Sequence, residues 1–276
     1  MAVRKTPEGN KAPPGKCIFC GFAGKLTREH VMSRWTHKRY LPPRTMRKYR
    51  QLRATAQRQS TTFKIGKVAG DIRDWQVLCV CEKTCNNGWM RKHVEDMARP
   101  ILKELIAGKP LMLTPEMQAK IASWAALKVM VAEYGIGEHV TTHHTQRKRM
   151  MRRQLPPDRG WGVWLGAYKR GAWPNYWTST PFLLLPDARA AARPDKIATY
   201  YNSQASTLAI GELFVVVLRS PKEDLPRRFP FRPPDKGTLF RIWPPTTTNI
   251  RWPGKVMSDR DADYTAHAFK DFMEKS

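Results

Sequence analysis

The sequence predicts an α+β protein, in which a small N-terminal unit of two strands and a helix stapled by zinc precedes a larger domain of helices and antiparallel strands. Three observations predict it. Cysteines fall in two close pairs, Cys17 with Cys20 and Cys81 with Cys85, far apart in the chain. Apolar residues recur at helical spacing from Trp89 to Tyr134, and beyond Trp161 the period changes to two, in runs divided by proline and glycine.

Residues 1–16 are charged but lack an apolar core, which excludes a secretory signal and reads as a disordered basic tail. Cys17 and Cys20, with Gly21 to allow a tight turn, form a knuckle whose thiolates converge. Leu26 to His30 leads into a strand that ends at the histidine. Residues 33–58 form a basic insertion in which Arg34, Lys38, Arg39, Arg44, Arg47, Lys48, Arg50, Arg53 and Arg58 alternate with Trp35, Tyr40 and Tyr49. With few acids among them, Arg34, Arg44, Arg47, Lys48, Arg50 and Arg53 read as phosphate contacts ahead of a merely solvated loop and helix face.

Thr61–Val68 and Ile72–Val80 are dense in β-branched and aromatic residues and read as a hairpin turning at Ala69-Gly70-Asp71. A helix follows from Asn87, with Trp89, Val94, Met97 and Ile101 on one face, kinked or restarted at Pro100 and ending at Gly108. That closes the first unit, residues 17–108. Thr114-Pro115 caps a second helix, Glu116–Tyr134, apolar on most faces and therefore buried at the centre of a second domain, residues 109–276. Five of the seven residues from Arg147 to Arg153 are basic. Strands follow at Trp161–Tyr168, Phe182–Leu185, Leu213–Leu218 and Leu239–Trp243, then a proline-rich loop at 221–236 and a terminal helix from Asp261 to Glu274. Aromatic and basic residues between Trp161 and Trp177 suit base stacking and core packing equally, and nothing in this second domain identifies a reaction.

Lysine and arginine total 49 against 23 acids, a formal net charge of +26. Solubility does not require such an excess. It favours a polyanionic partner, because every neutralised phosphate releases counterions. The longest nearly apolar run, Ile121–Ala132, is too short to span a bilayer, and no basic amphipathic helix offers a surface anchor. Five cysteines confined to the first 85 residues fit a metal site in a reducing, cytoplasmic compartment better than a disulfide framework. The odd one is Cys79, Cys81 or Cys85; the spacing selects Cys17, Cys20, Cys81 and Cys85 for a tetrahedral zinc and leaves Cys79 buried or on the opposite face of its strand.

The stretches CIFC at 17–20, REHVMSRW at 28–35 and TCNNGWM at 84–90 together resemble the HNH (His-Me finger) nucleases, in the subgroup whose ββα-metal unit is stapled by a four-cysteine zinc. The resemblance covers about residues 17–95. It implies a metal-dependent endonuclease acting on DNA, with His30 as general base, since an imidazole can deprotonate water near neutral pH. It also implies that Glu29, before the histidine, and Asn86, after the last cysteine, hold one divalent metal, most plausibly magnesium, with Asn87 a close alternative to Asn86. The family's middle asparagine has no counterpart, since no Asn occurs between Gly21 and Cys85; Asp71, Asp74 or Gln76 could supply its hydrogen bond. That departure favours the alternative reading, a non-cleaving zinc-finger nucleic-acid binder on the same scaffold.

Overall fold

The computed structural model describes residues 15–41, 48–57, 60–69, 72–135, 140–169, 177–182, 202–229 and 237–274. The chain enters through the cysteine knuckle and strand β1, Leu26–His30. A basic insertion then makes a 3₁₀ turn at Arg34–Thr36 and the hairpin of β2, Lys48–Gln57, with β3, Ser60–Ala69. Strand β4, Gln76–Cys81, returns antiparallel to β1, pairing Leu26 with Cys81 and His30 with Gln76, with one irregularity at Thr27/Arg28. Wide helical turns at Glu82–Glu95 lead directly into helix α1, Asp96–Ile106.

This pairing corrects the expected hairpin. Thr61–Val68 does not pair with Ile72–Val80; it pairs with residues 48–57 across a two-residue connection, in unbroken register from Lys48↔Ala69 to Gln57↔Ser60. Short connections of that kind are the favoured hairpin loops. The charge of 48–57 concealed a strand inside what reads in the sequence as a basic insertion. Segment 72–80 instead turns through a 3₁₀ element at Ile72–Asp74 and lies beside β1, where Val77, Cys79, Val80 and Cys81 are buried.

Helix α2, Pro115–Gly135, is the hub of the molecule. Thr114 caps it, its Oγ1 accepting from the Met117 amide at 3.3 Å, as the Thr-Pro signal predicts. It packs against β4, α1, the 82–95 turns, β5 (Leu111–Leu113), β6 (Trp161–Tyr168), β9 (Leu213–Arg219) and β10 (Leu239–Trp243). Helix α3, His144–Arg153, holds the basic cluster.

The large sheet runs β10-β6-β9-β8-β7, with β7 at Trp177–Phe182 and β8 at Ser203–Ile210, and β12, Val256–Met257, parallel to β6. Its period-two pattern divides the core. Val163, Leu165, Val215 and Val217 face α2, whereas Trp164, Tyr168, Phe214, Val216 and Leu218 face the opposite cluster with Leu225 of α4 (Leu225–Arg228) and Ala262 and Ala266 of α5 (Asp259–Glu274). The small ladder β11 (Ile250–Trp252) with β5 closes the other end. One buried apolar cluster runs from Cys17 through α2 to Trp252. Among the described residues no helix is long and apolar enough to cross a membrane.

Strand β8 was missed because SQASTLAI looks too polar for a core strand. Its polar side chains are satisfied across the sheet instead: Gln204 Nε2 donates to Ser179 Oγ of β7 at 2.7 Å, and the Ser179 and Ser206 hydroxyls lie 3.2 Å apart. Most of Phe182–Leu185, residues 230–236 of the proline-rich loop and the tail up to residue 14 lie outside the described residues.

Candidate functional site

The knuckle closes through Gly21, at φ +77, whose amide donates to the Cys17 carbonyl at 3.0 Å. The Ile18 amide donates to the Cys79 carbonyl at 3.0 Å, which lays the knuckle along β4. Cys81 ends that strand and Cys85 stands in the first turn after it. The four sulfurs of Cys17, Cys20, Cys81 and Cys85 consequently lie within 4.8 Å of one another, with Cys17–Cys85 at 3.6 Å and Cys20–Cys81 at 3.5 Å. Sulfurs held about 2.3 Å from one ion at tetrahedral angles stand about 3.8 Å apart, so the group fits a zinc-like metal. The Cys85 thiol beside it lowers Cys17 to about 4, and the same contact with burial raises Cys85. Burial pushes Cys20 up to about 11. Ionised together, four sulfurs at these spacings would need a cation among them. Cys79 is buried outside the cluster, and burial raises its thiol.

Beside the cysteines lies a hollow of about 490 Å³. Glu29, His30, Asn86 and Asn87 all line it, together with Arg28, Arg34, Arg91, Arg99, Ser33 and Glu95. Segments far apart in sequence are brought together there by the β1–β4 pairing and by the turn after Cys85. Gly88 makes that turn possible: an added Cβ would sit 2.7 Å from the Lys83 carbonyl oxygen.

His30 is half-buried, and burial, then the charges of His37, Arg34 and Lys128, lower its pKa to about 4, against a smaller pull from Glu95. Its ring is neutral at physiological pH and able to accept a proton. The His37 ring stands 5.4 Å away, its Nε2 donating to the Met32 carbonyl at 2.8 Å.

Glu29 is 7% exposed and not free: the Lys128 ammonium donates to its Oε1 at 2.7 Å and to the His30 carbonyl at 2.9 Å. The same ammonium is 2.5 Å from Glu95 Oε1, which also accepts from Ser33 Oγ at 2.7 Å. Burial raises the Glu29 carboxyl despite Lys128; burial also pushes Glu95 upward, but Lys128 and Ser33 outweigh it and leave that carboxyl low. Burial opposes the charge on Lys128, yet the two carboxylates prevail and raise its pKa.

Of the sequence-selected nucleic-acid contacts, only Arg34 is seen at the hollow. Lys48, Arg50 and Arg53 are on β2, and Arg44 and Arg47 lie outside the described residues. Among the substitutes for the middle asparagine, Gln76 is paired across the ladder with His30, Asp74 is in the turn before it, and Asp71 lies outside the described residues. Lys128, Glu95 and His37 were not anticipated. For Lys128 the signal was present: a lysine in an otherwise apolar helix has to be paired.

No protein-family model, curated protein or solved structure matches the chain.

Proposed function

We propose that this chain is a metal-dependent endonuclease of the HNH (His-Me finger) type that hydrolyses DNA phosphodiester bonds, with the β1–β4 pair and the 82–95 turns as its ββα-metal unit. The observation that carries the reading is the meeting of Glu29, His30 and Asn86 in one hollow beside four cysteines spaced for zinc.

In this reading zinc at Cys17, Cys20, Cys81 and Cys85 staples a unit that has too few apolar residues of its own to fold. His30, neutral because it is partly desolvated among cations, takes a proton from the attacking water. Arg28, Arg34 and Arg91, which line the hollow, draw in and orient the phosphates on either side of the scissile bond. Glu29 and Asn86, or Asn87, line the hollow and would hold the ion through oxygen ligands, a set suited to magnesium. When bound, the ion neutralises the scissile phosphate and stabilises the departing 3′-oxygen.

Zinc-loaded protein incubated with supercoiled plasmid is expected to relax or linearise it only when magnesium or manganese is added, and His30→Ala to remove that cleavage. Equal, metal-insensitive backgrounds from both proteins would defeat the proposal.

A second reading, a zinc-stapled nucleic-acid binder that does not cleave, draws support from the ammonium already on Glu29 and from the missing middle asparagine. It predicts salt-sensitive DNA binding that His30→Ala leaves unchanged, without strand scission at any metal concentration.

A further inference from the structure

Lys128 is a buried charge to which the hydrolytic scheme gives no task. It rises from the middle of α2, is fully enclosed, and touches Glu29, Glu95 and the His30 carbonyl at once. One turn earlier on the same helix, Trp124 Nε1 donates to Ser33 Oγ at 3.2 Å, and Ser33 donates on to Glu95. Helix α2 therefore grips both residues that end β1 and also the 82–95 segment that carries Asn86.

We propose that Lys128 is a positioning residue that fills the place between the Glu29 and Glu95 carboxylates and so holds a divalent ion outward, in the hollow beside His30 and Asn86. Two carboxylates converging on one point form the strongest cation trap in the region, and an ion seated there would lie against α2, behind the strand end that bears the imidazole. The ammonium cancels one of the two negative charges and leaves one for the hollow. It also fixes Oε1 of Glu29 by a charge-assisted hydrogen bond, which aims the carboxylate without a flexible surface partner. The role of the hollow rests on the nuclease reading; the filled place between the carboxylates does not.

The test titrates manganese calorimetrically into zinc-loaded wild type, Lys128→Met and Glu95→Gln, alongside single-turnover cleavage of a DNA duplex. Lys128→Met is expected to bind manganese about tenfold more tightly, because a like charge beside the ligand is gone. Its cleavage rate at saturating metal is expected to fall about a hundredfold, because the ion moves away from the imidazole. Glu95→Gln, which leaves the ammonium to neutralise Glu29 alone, is expected to bind manganese about tenfold more weakly while keeping its zinc and fold. A mere loss of structure would lower affinity and turnover together in Lys128→Met and would leave Glu95→Gln near wild type.

Unchanged or weaker manganese binding by folded Lys128→Met overturns the proposal, as does an unaltered affinity in Glu95→Gln, which decides the matter if Lys128→Met fails to fold. Absence of manganese binding from all three proteins overturns it as well. If wild type cleaves but the affinity pattern is missing, the assignment of Lys128 falls alone. If the pattern is found and nothing cleaves, the nuclease reading falls and Lys128 keeps its place.

Discussion

His30 draws its chemistry from its surroundings. Burial and the neighbouring charges of His37, Arg34 and Lys128 hold its pKa near 4, below the usual 6.5. The sign of the consequence is fixed. Between these values the unfolded chain binds the proton and the folded chain does not, so stability from this group is complete above about pH 6.5 and is lost as pH falls toward 4. His30→Ala is expected to flatten that part of a urea-midpoint profile against pH. In the proposed cleavage the imidazole is expected to stay deprotonated across neutrality, so that its contribution to rate is level from pH 6 to 8 and its removal lowers the rate by roughly 10²–10⁴-fold. A wild-type rate that climbs steadily through pH 6–7 with an imidazole-like midpoint contradicts this environment. At this scale the sequence was legible for the four cysteines, whose two close pairs come together in one cluster; Glu29, His30 and Asn86, singled out by the resemblance, line one hollow. It was not legible for Lys128 and Glu95, which join the site by tertiary packing, with Lys128 ninety-nine residues from Glu29 in the chain.

Among the elements, the turn from β4 into the 82–95 segment controls the geometry, because Cys81, Cys85 and Asn86 all lie within it. Gly88 allows the segment to kink, with φ −87 and ψ −119, as its Cα passes over the Lys83 carbonyl. Gly88→Ala therefore forces the backbone to move, at a cost of about 1–3 kcal/mol by analogy with other overpacked sites. Thermal unfolding is the check: a melting temperature equal to wild type would mean that the close approach imposes no constraint. Elements with a strong period were foreseen. Helix α2, with its Thr-Pro start, and strands β6, β9 and β10 match their sequence patterns. The failures had physical causes. In β2 cations obscured the alternation; in β8 Gln204 and Ser206 are satisfied by Ser179 of the neighbouring strand; and Met97, which recurs with Trp89, Val94 and Ile101 at helical spacing, is 46% exposed while those three are buried. Strand partners depend on long-range burial, which a single sequence does not encode locally.

For the whole molecule, the buried cluster that runs unbroken from Cys17 to Trp252 joins the cysteine centre to the central helix. Stripping the metal is therefore expected to destabilise the entire chain in one cooperative transition, not to release a loose N-terminal piece. Chelation that leaves the main calorimetric transition in place while only a minor one disappears would contradict that coupling. A net charge of +26 adds a further expectation, a steep loss of duplex affinity between low and physiological salt. The central claim, that the hollow beside the cysteines cuts DNA, is tested most directly by one comparison. Wild type and His30→Ala, matched for zinc content and for duplex affinity, are mixed in excess with an end-labelled duplex, and cleavage is started with magnesium. The account predicts a single-turnover burst of cut strand from wild type and little or none from the variant. Equal traces from the two proteins, with or without product, would contradict it.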